Sequence, residues 1–571
     1  MSINYLSKAE AEPAKGGNLA STRIRSSSEN EVREETEQER SRPGSSTSSD
    51  LNDTTTDIQH GETEPDLEAP LSRTSTAPFS VFTTPQKRFI VFMVSLASFF
   101  SPLSANIYFP ALNTLSRDFN VSPSTMNLTL TSYMIFQGLA PTLFGDLADM
   151  AGRRPAYLIG FAIYLGACIG IALCDSFAAL LVLRCLQSSG SSSTIALGSG
   201  VVADIATSAE RGVWMGWATS GPMIAPALAP VLGGLFTEFL GWRWIFWFLV
   251  ILTCAVLVPL VMIFPETGRN VVGNGSIAPQ GWNMSLLNYL QVKRQRGKVE
   301  SSPPPPTSLK TRLRFPNPLN SLRLLLEKDV SLLLIYNALI YSSFYCLMSS
   351  FPQLLSDIYG FNPLQIGLCF LPLGSGAFLA TFLSGHILDW NFRRIATQLN
   401  WPIVKNRSAD LGAFPIERAR LQITAPCVFL GSVALIAVGW CLHYEVPLAA
   451  PLVLSFIHGL FMTAAFNTLS VLLVDLYPMS PATATAGNNL VRCLFGAAAT
   501  AVILDVLKAM GRGGGFTFVA GVVISGSPVL WVLEKWGMGW RVERKKKIQA
   551  KKEKKAEAKE GEKVDDKTGA S

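Results

Sequence analysis

Residues 145–155 read GDLADMAGRRP. Apolar runs stand on both sides, at 124–145 and 155–174, and a helix that crosses a bilayer needs about 20 such residues. The stretch therefore reads as a short charged turn between two crossings. Gly145 and Gly152 permit a tight reversal. Asp146 and Asp149 close the helix before it, and Arg153 and Arg154 open the helix after it.

The same reading extends along the chain. Of the 571 residues, 49% are hydrophobic and 16% charged, where a soluble domain carries about a quarter charged residues. Twelve apolar runs are long enough to span: 88–110, 124–145, 155–174, 177–203, 211–237, 243–264, 330–355, 363–388, 421–443, 448–475, 484–507 and 514–533. The longest connection follows the sixth run. The predicted fold is all-α, with twelve transmembrane helices in two six-helix bundles, 87–264 and 330–533, joined by a central loop at 265–329. Residues 1–86 hold 15 acidic and 8 basic residues and much Ser/Thr. They are too polar to bury a core and are expected to be a disordered tail. They lack the apolar core of a signal peptide. Residues 534–571, with 13 basic and 8 acidic residues, form a second polar tail, also expected to be disordered.

Charge sets the expected orientation. Arg153 and Arg154, the ten basic residues of the central loop and the loop after run eight (Arg393, Arg394, Lys405, Arg407, Arg418, Arg420) fall on one side. The positive-inside rule makes that side, and both tails, cytoplasmic. Within the central loop, 317–329 reads either as an amphipathic helix on the membrane surface or as an ordinary linker. The basic C-terminal run can attract anionic lipid or only fix topology.

Several chemistries are unsupported. There is no GxxxxGK[ST] phosphate loop, no HExxH, no GxSxG and no metal-ligand cluster, so neither ATP-driven transport nor enzyme activity is expected. The nine cysteines lie in apolar runs without framework spacing and read as small buried hydrophobes. No nucleic-acid partner and no cofactor are implied, and a monomer is expected. Asn120 begins an NVS glycosylation sequence in a loop too short to favour it.

Residues 220–234, SGPMIAPALAPVLGG, place Pro222, Pro226 and Pro230 four apart inside an apolar run. Each proline removes a helical hydrogen bond. Gly221, Ala225, Ala229 and Gly233 form a small-residue ladder beside them, and such ladders let helices approach closely; Gly234 follows as a further candidate for the moving seam. The expectation is a bent helix that forms a sliding seam between the two halves; an ordinary kinked packing helix is the alternative.

Ionisable residues inside a bilayer are expensive and tend to be functional. Arg184 lies in run four, Arg492 in run eleven and His458 in run ten, with no mid-span carboxylate. Two unpaired arginines in a low-dielectric cavity favour an anionic or carboxylate-bearing solute; alternatively Arg184 is satisfied by carbonyls, Gln187 or hydroxyls. Candidates for proton coupling are His458 and the Asp146/Asp149 pair; a hydrogen-bonded packing histidine and uncoupled transport are the alternatives. Polar groups that recur every four residues, with Tyr133 and Gln137 in run two and Asn337, Tyr341 and Tyr345 in run seven, and Asn106 and Tyr108 at the end of run one, read as solute contacts or as helix–helix hydrogen bonds.

The turn at 145–155 resembles the G-x-L-a-D-r-x-G-r-k signature of the major facilitator superfamily. LVLRCLQSSGSSS (181–193) and the proline stretch resemble its membrane-arginine and antiporter signatures. SPLSANIYFPAL (101–112), TSYMIFQGLAP (131–141), FPIERARL (414–421) and NNLVRCLFGA (488–497) resemble the fungal twelve-span drug:proton antiporters, in the branch with quinidine-resistance, dityrosine and citrate exporters. The resemblance covers about residues 85–540. It implies alternating access and export of small organic compounds from a plasma membrane against protons, with the turn cluster latching the inward-closed state against the second half and with run five, seam and all, facing run eight, which offers Gly374 and Gly376. A dedicated exporter of one organic acid is one alternative, and a non-transporting sensor on the same scaffold is another.

Overall fold

Backbone inside a bilayer has no water to bond, so it must satisfy its own polar groups, and helices do so within one segment. The computed structural model describes residues 79–207, 210–277, 279, 281–290, 327–400, 414–477 and 481–568. The N-terminal tail up to residue 78 and the 317–326 stretch lie outside them. The described residues hold helices and turns, and no strand.

The first half contains α1 (Thr84–Asn106), α2 (Leu112–Asp118), α3 (Pro123–Ala151), α4 (Arg153–Leu173), α5 (Phe177–Ile205), α6 (Arg211–Phe239) and α7 (Arg243–Met262), followed by the single turn α8 (Arg269–Val272). The second half contains α9 (Lys328–Tyr359), α10 (Pro363–Gln398), α11 (Ile416–His443), α12 (Ala449–Leu476), α13 (Pro481–Ser525) and α14 (Pro528–Thr568). Nine stretches of the described residues are long and apolar enough to cross a membrane. Of the expected twelve, α3 and α5 fall outside that set, because they carry many of the polar residues. Runs eleven and twelve merge into a single stretch, Ala484–Arg544, yet α13 reverses at Gly511, whose φ is +74°.

Three boundaries differ from expectation. The first crossing breaks after Asn106, and residues Phe109–Ala111 form a single 3-10 turn; Pro110 has no N–H with which to continue α1. Gly145 lies well inside α3, and Gly152 alone makes the reversal, with φ +106°. The C-terminal tail is not disordered: α14 runs on through Thr568. Its Ala/Glu/Lys-rich sequence favours helix, the Glu543–Lys547 pair at 2.8 Å supports it, and Arg541 and Arg544 are buried at its base.

Residues 76–571 form one compact unit, and two seams join its halves. Along the first, α3 meets α13 through Asn127 Nδ2 to the Thr500 carbonyl (3.3 Å), Thr131 Oγ1 to the Ala497 carbonyl (3.2 Å) and Asn489 Nδ2 to the Gln137 carbonyl (2.9 Å). Along the second, α6 meets α10 backbone to backbone. A Cβ on Gly374 would lie 2.6 Å from Ala227 Cα, and one on Gly367 or Gly234 would meet the Pro230 or Pro363 carbonyl.

The small-residue ladder does not form that second seam. Gly221 lies against Ser95 and Gly233 against the Ile107 carbonyl, both in the first half, and Ala225 and Ala229 are fully buried. Gly376 packs on Phe456 and Leu460 of α12. One residue along a helix is a rotation of about 100°, so the ladder at 221, 225, 229 and 233 turns to α1 while Ala227, Pro230 and Gly234 turn to α10. Pro226 and Pro230 belong to the seam: the missing N–H of Pro230 leaves the Pro226 carbonyl unbonded in its own helix, and that oxygen lies 3.0 Å from a Cβ on Gly374.

Candidate functional site

The site is built around two guanidinium groups, one in each half. Arg184, on α5, has no solvent exposure. Its Cζ lies 4.1 Å from the Tyr108 ring centroid and 4.3 Å from that of Tyr133, so aromatic rings cover it. Tyr108 reaches it because α1 breaks just before that residue. Tyr133 is fixed by hydrogen bonds to Ser191 Oγ (3.1 Å) and the Ser101 carbonyl (3.2 Å), and Tyr108 Oη lies 2.9 Å from Thr129 Oγ1. Arg184 Nη1 donates to Gln187 Oε1 at 2.6 Å, and Gln187 Nε2 donates to Cys168 Sγ at 3.3 Å. Among the described residues, Nε and Nη2 of Arg184 are buried without a hydrogen-bond partner. Those two N–H groups form the parallel fork that fits a carboxylate side-on.

Arg492, on α13, is half-buried over Tyr341 (4.8 Å) and Phe466 (5.5 Å). Its fork is filled: Nε and Nη2 donate to Asn489 Oδ1 at 3.1 and 2.6 Å. The sequence expectation of two unpaired arginines therefore holds for one edge of Arg184 alone. Tyr341 and Tyr345 pack 4.5 Å apart at the seam with Met134 and Ala497 close by. Gln137 faces Cys493, Sγ to Oε1 3.9 Å. Asn106 donates to the Pro102 carbonyl of its own helix (2.7 Å), and its Oδ1 has no partner. Asn337 turns away from these residues; its Nδ2 donates to Asn488 Oδ1 (2.9 Å), a bond inside the second half.

His458 lies inside the second half. Its Nδ1 is 2.9 Å from the Gly431 carbonyl, its Nε2 has no partner among the described residues, and its ring stacks on Phe344 at 6.3 Å. Phe344 in turn lies 6.0 Å from Tyr345.

At the end of the molecule where α1 begins, Arg153 and Arg154 of the charged turn are held by the first half and by the start of the central loop. Arg153 reaches Asp149 (2.7 Å) and Asp204 (2.9 Å). Arg154 donates to the carbonyls of Trp282 (2.7 Å) and Val261 (2.8 Å). Glu266 accepts the backbone N–H groups of Arg153 (2.7 Å), Arg154 (3.1 Å), Thr267 (3.0 Å) and Gly268 (2.8 Å). Arg269 donates to the Asp204 carbonyl. Asp146 sits half-buried within α3 on the same side. The second half has a matching clasp, Arg420 to Asp475 at 3.2 Å. Sequence reading missed Glu266, Asp204 and Asn489. Asn489 was legible, because it stands three residues before Arg492 on the same helix face.

At the opposite end an aromatic wedge closes the space between the halves. Phe109, on the 3-10 turn, lies 5.9 Å from Phe370 and 6.4 Å from Tyr345, and Phe351 backs Phe370 at 5.8 Å. Asn113 Nδ2 donates to the Pro352 carbonyl (2.7 Å) and Ser124 Oγ to Asp505 (2.8 Å) across the same gap. Asn120 is exposed beside this end with φ +52°.

Two halves of spanning helices, packed about buried arginines and unbonded polar groups, define a polytopic membrane carrier. The Major Facilitator Superfamily model matches residues 94–501, and the chain belongs to that superfamily. It is 44% identical over 480 residues to the MFS-type transporter phiD of a fungal species (strain ATCC 74256), covering 84% of this chain and 73% of that one. It is 37% identical over 481 residues to citrate exporter 1 of Aspergillus niger, covering 83% and 90%. A solved structure of the xylose transporter XylE from E. coli, in a partially occluded inward open conformation, aligns with a TM-score of 0.55 at 14% identity, over 78% of this chain and 97% of that one; this likeness shows the fold. The chain is a membrane transporter and not an enzyme.

Proposed function

We propose that this transporter exports small organic anions, carboxylates foremost, in exchange for protons across the plasma membrane, with both tails in the cytoplasm. The free fork of Arg184 carries the reading. A buried donor left unmet costs about 1–3 kcal/mol, and more on a charged group, and a carboxylate entering in the guanidinium plane would satisfy Nε and Nη2 together. The Tyr108 and Tyr133 rings cover the guanidinium, so a carboxylate would have to meet its edge. The citrate exporter relative supports an organic acid as solute and favours a second reading, a dedicated exporter of one such acid.

His458 is the proposed proton carrier, since its Nε2 is enclosed without a partner one ring away from Tyr345. Export would proceed by rocking at the α3–α13 and α6–α10 seams.

The test is uptake of radiolabelled citrate into everted vesicles, with and without an imposed pH gradient, and of a cationic dye as comparison. Arg184→Gln is expected to reduce citrate transport about 10–100-fold, the value of a charge-assisted hydrogen bond, and to spare the dye. Arg184→Lys is expected to recover little, because an ammonium lacks the fork. Equal loss for acid and dye would refute the charge argument. Citrate flux that ignores the gradient would refute antiport. Competition by many acids would separate a broad exporter from a dedicated one.

A further inference from the structure

The two arginines differ in which edge is filled. At Arg184 a neighbouring amide caps Nη1 and leaves the fork open. At Arg492 the Asn489 carboxamide occupies the fork itself, one oxygen serving both donors. Tyr341 and Phe466 lie against that guanidinium. A solute carboxylate that takes this edge side-on has to displace Asn489 Oδ1.

The other end of the same amide is engaged elsewhere. Asn489 Nδ2 donates across the seam to the Gln137 carbonyl at 2.9 Å. That carbonyl is available because the residue four further along α3 is Pro141, which has no N–H to offer it. The orientation of the amide is fixed by chemistry: a guanidinium only donates and a carbonyl only accepts. The amide is planar, so a rotation that withdraws Oδ1 from Arg492 also swings Nδ2 away from Gln137. Other polar ties between α3 and α13, among them Asn127 to Thr500, Thr131 to Ala497 and Ser124 to Asp505, involve no arginine.

We infer that Asn489 is a built-in competitor for Arg492, and that a solute carboxylate bound at Arg492 releases one hydrogen bond between the two halves. Asn489 is thus a positioning residue that converts solute arrival into loosening of the α3–α13 seam. The inference rests on the reading of the solute as a carboxylate. It goes beyond that reading by naming the contact through which binding reaches the moving interface.

Cys493 is a native reporter of this contact. Its Sγ lies 3.8 Å from Asn489 Oδ1 and 3.9 Å from Gln137 Oε1, and the residue is fully buried. A Cβ on Gly138 would lie 3.1 Å from Cys493 Cβ, so the seam is tight there.

The experiment uses the full chain in proteoliposomes. Maleimide modification of Cys493 is followed by peptide mass spectrometry, and transport and thermal shift are measured with citrate, succinate and benzoate. Without solute, Asn489→Ala is expected to speed modification about tenfold, as loss of one ordinary hydrogen bond would. An acid that binds the wild type should speed it there and leave Asn489→Ala unchanged.

The decisive readout is the direction of KM. Asn489→Ala removes the competitor and should lower KM for the acid. The isosteric Asn489→Asp also loses the donor to Gln137 but installs a permanent carboxylate on Arg492, and should raise KM about tenfold. A merely structural role would move both the same way. Parallel KM shifts, or equal Cys493 modification in wild type and Asn489→Ala, overturn the inference while leaving acid export standing. Failure of all three acids to bind or be carried overturns the carboxylate reading and this inference with it.

Discussion

Glu266 accepts the backbone N–H of Arg153 at 2.7 Å, so a residue that follows the sixth crossing caps the helix of the third. The carboxylate collects four N–H groups in all, which otherwise would be orphaned at the start of α4 and in the following turn. Burial pushes the Glu266 carboxyl above its usual range, and these donors draw it back down.

Glu266→Ala is expected to cost about 2–3 kcal/mol, the penalty for buried donors left unmet, and Glu266→Gln less, since an amide oxygen remains. The pH dependence has a definite sign. With its folded pKa raised, Glu266 holds its proton more tightly in the folded state. Its contribution is full below the unfolded value and is lost as pH rises through the folded one. Thermal melts in detergent should show the wild type gaining on Glu266→Gln as pH falls through the carboxylate range. A gap that widens instead with rising pH would contradict the assignment.

The α6–α10 seam leaves no room for a methyl group. Gly374→Ala should cost about 1–3 kcal/mol through overpacking against Ala227 and should slow transport. Gly385, on the same helix, has nothing within 4 Å of a Cβ position. Gly385→Ala is the control, expected to leave stability unchanged or raise it by about 1 kcal/mol. Melts and initial transport rates on the pair separate seam closure from glycine content.

Phe109 wedges between Phe370 and Tyr345 at the sealed end. Phe109→Ala should open a path past that seal. Proteoliposomes bearing it are expected to leak preloaded solute without a driving gradient, whereas Phe109→Leu should restore most of the barrier. A tight Phe109→Ala vesicle would place the seal elsewhere.

Arg544 Nη1 contacts Asp329 Oδ2 at 2.7 Å with both side chains nearly fully buried, and α14 is thereby clamped to the start of α9. Removing one partner of a buried pair costs about 3–5 kcal/mol, so Arg544→Ala should lower the melting temperature sharply. Truncation after Ala550 should stay within about 0.5 kcal/mol, the range of surface changes. Equal effects from the two changes would mean the clamp lies farther along the helix.

Much of this architecture is legible in the sequence, because bilayer thickness and backbone self-sufficiency leave few choices. The apolar runs mark the crossings, and the charged turn at 145–155 marks the helix ends around Gly152. What periodicity could not supply was azimuth. The ladder at Gly221, Ala225, Ala229 and Gly233 was legible as a packing face, but a face has no label for its neighbour, and it turned to α1 rather than α10. Asn337 shares a four-residue spacing with Tyr341 and Tyr345, yet it bonds inside its own half. The identity of Arg184 was legible, but the vacancy of its fork was not, since that depends on where Gln187 falls in space. Glu266 was missed because its partners are backbone groups, which leave no mark in a side-chain pattern.

Arg153 clasps Asp204 and Arg420 clasps Asp475, each within its own half, and neither clasp depends on the chain that joins the halves. A polypeptide severed in the central loop would therefore retain both. Expressed as two separate fragments in one cell, the pieces carry complementary faces along α3–α13 and α6–α10 with which to find one another in the bilayer. Complementation of this kind turns an interface usually studied as a moving part into one whose strength can be weighed directly, by mass action between fragments.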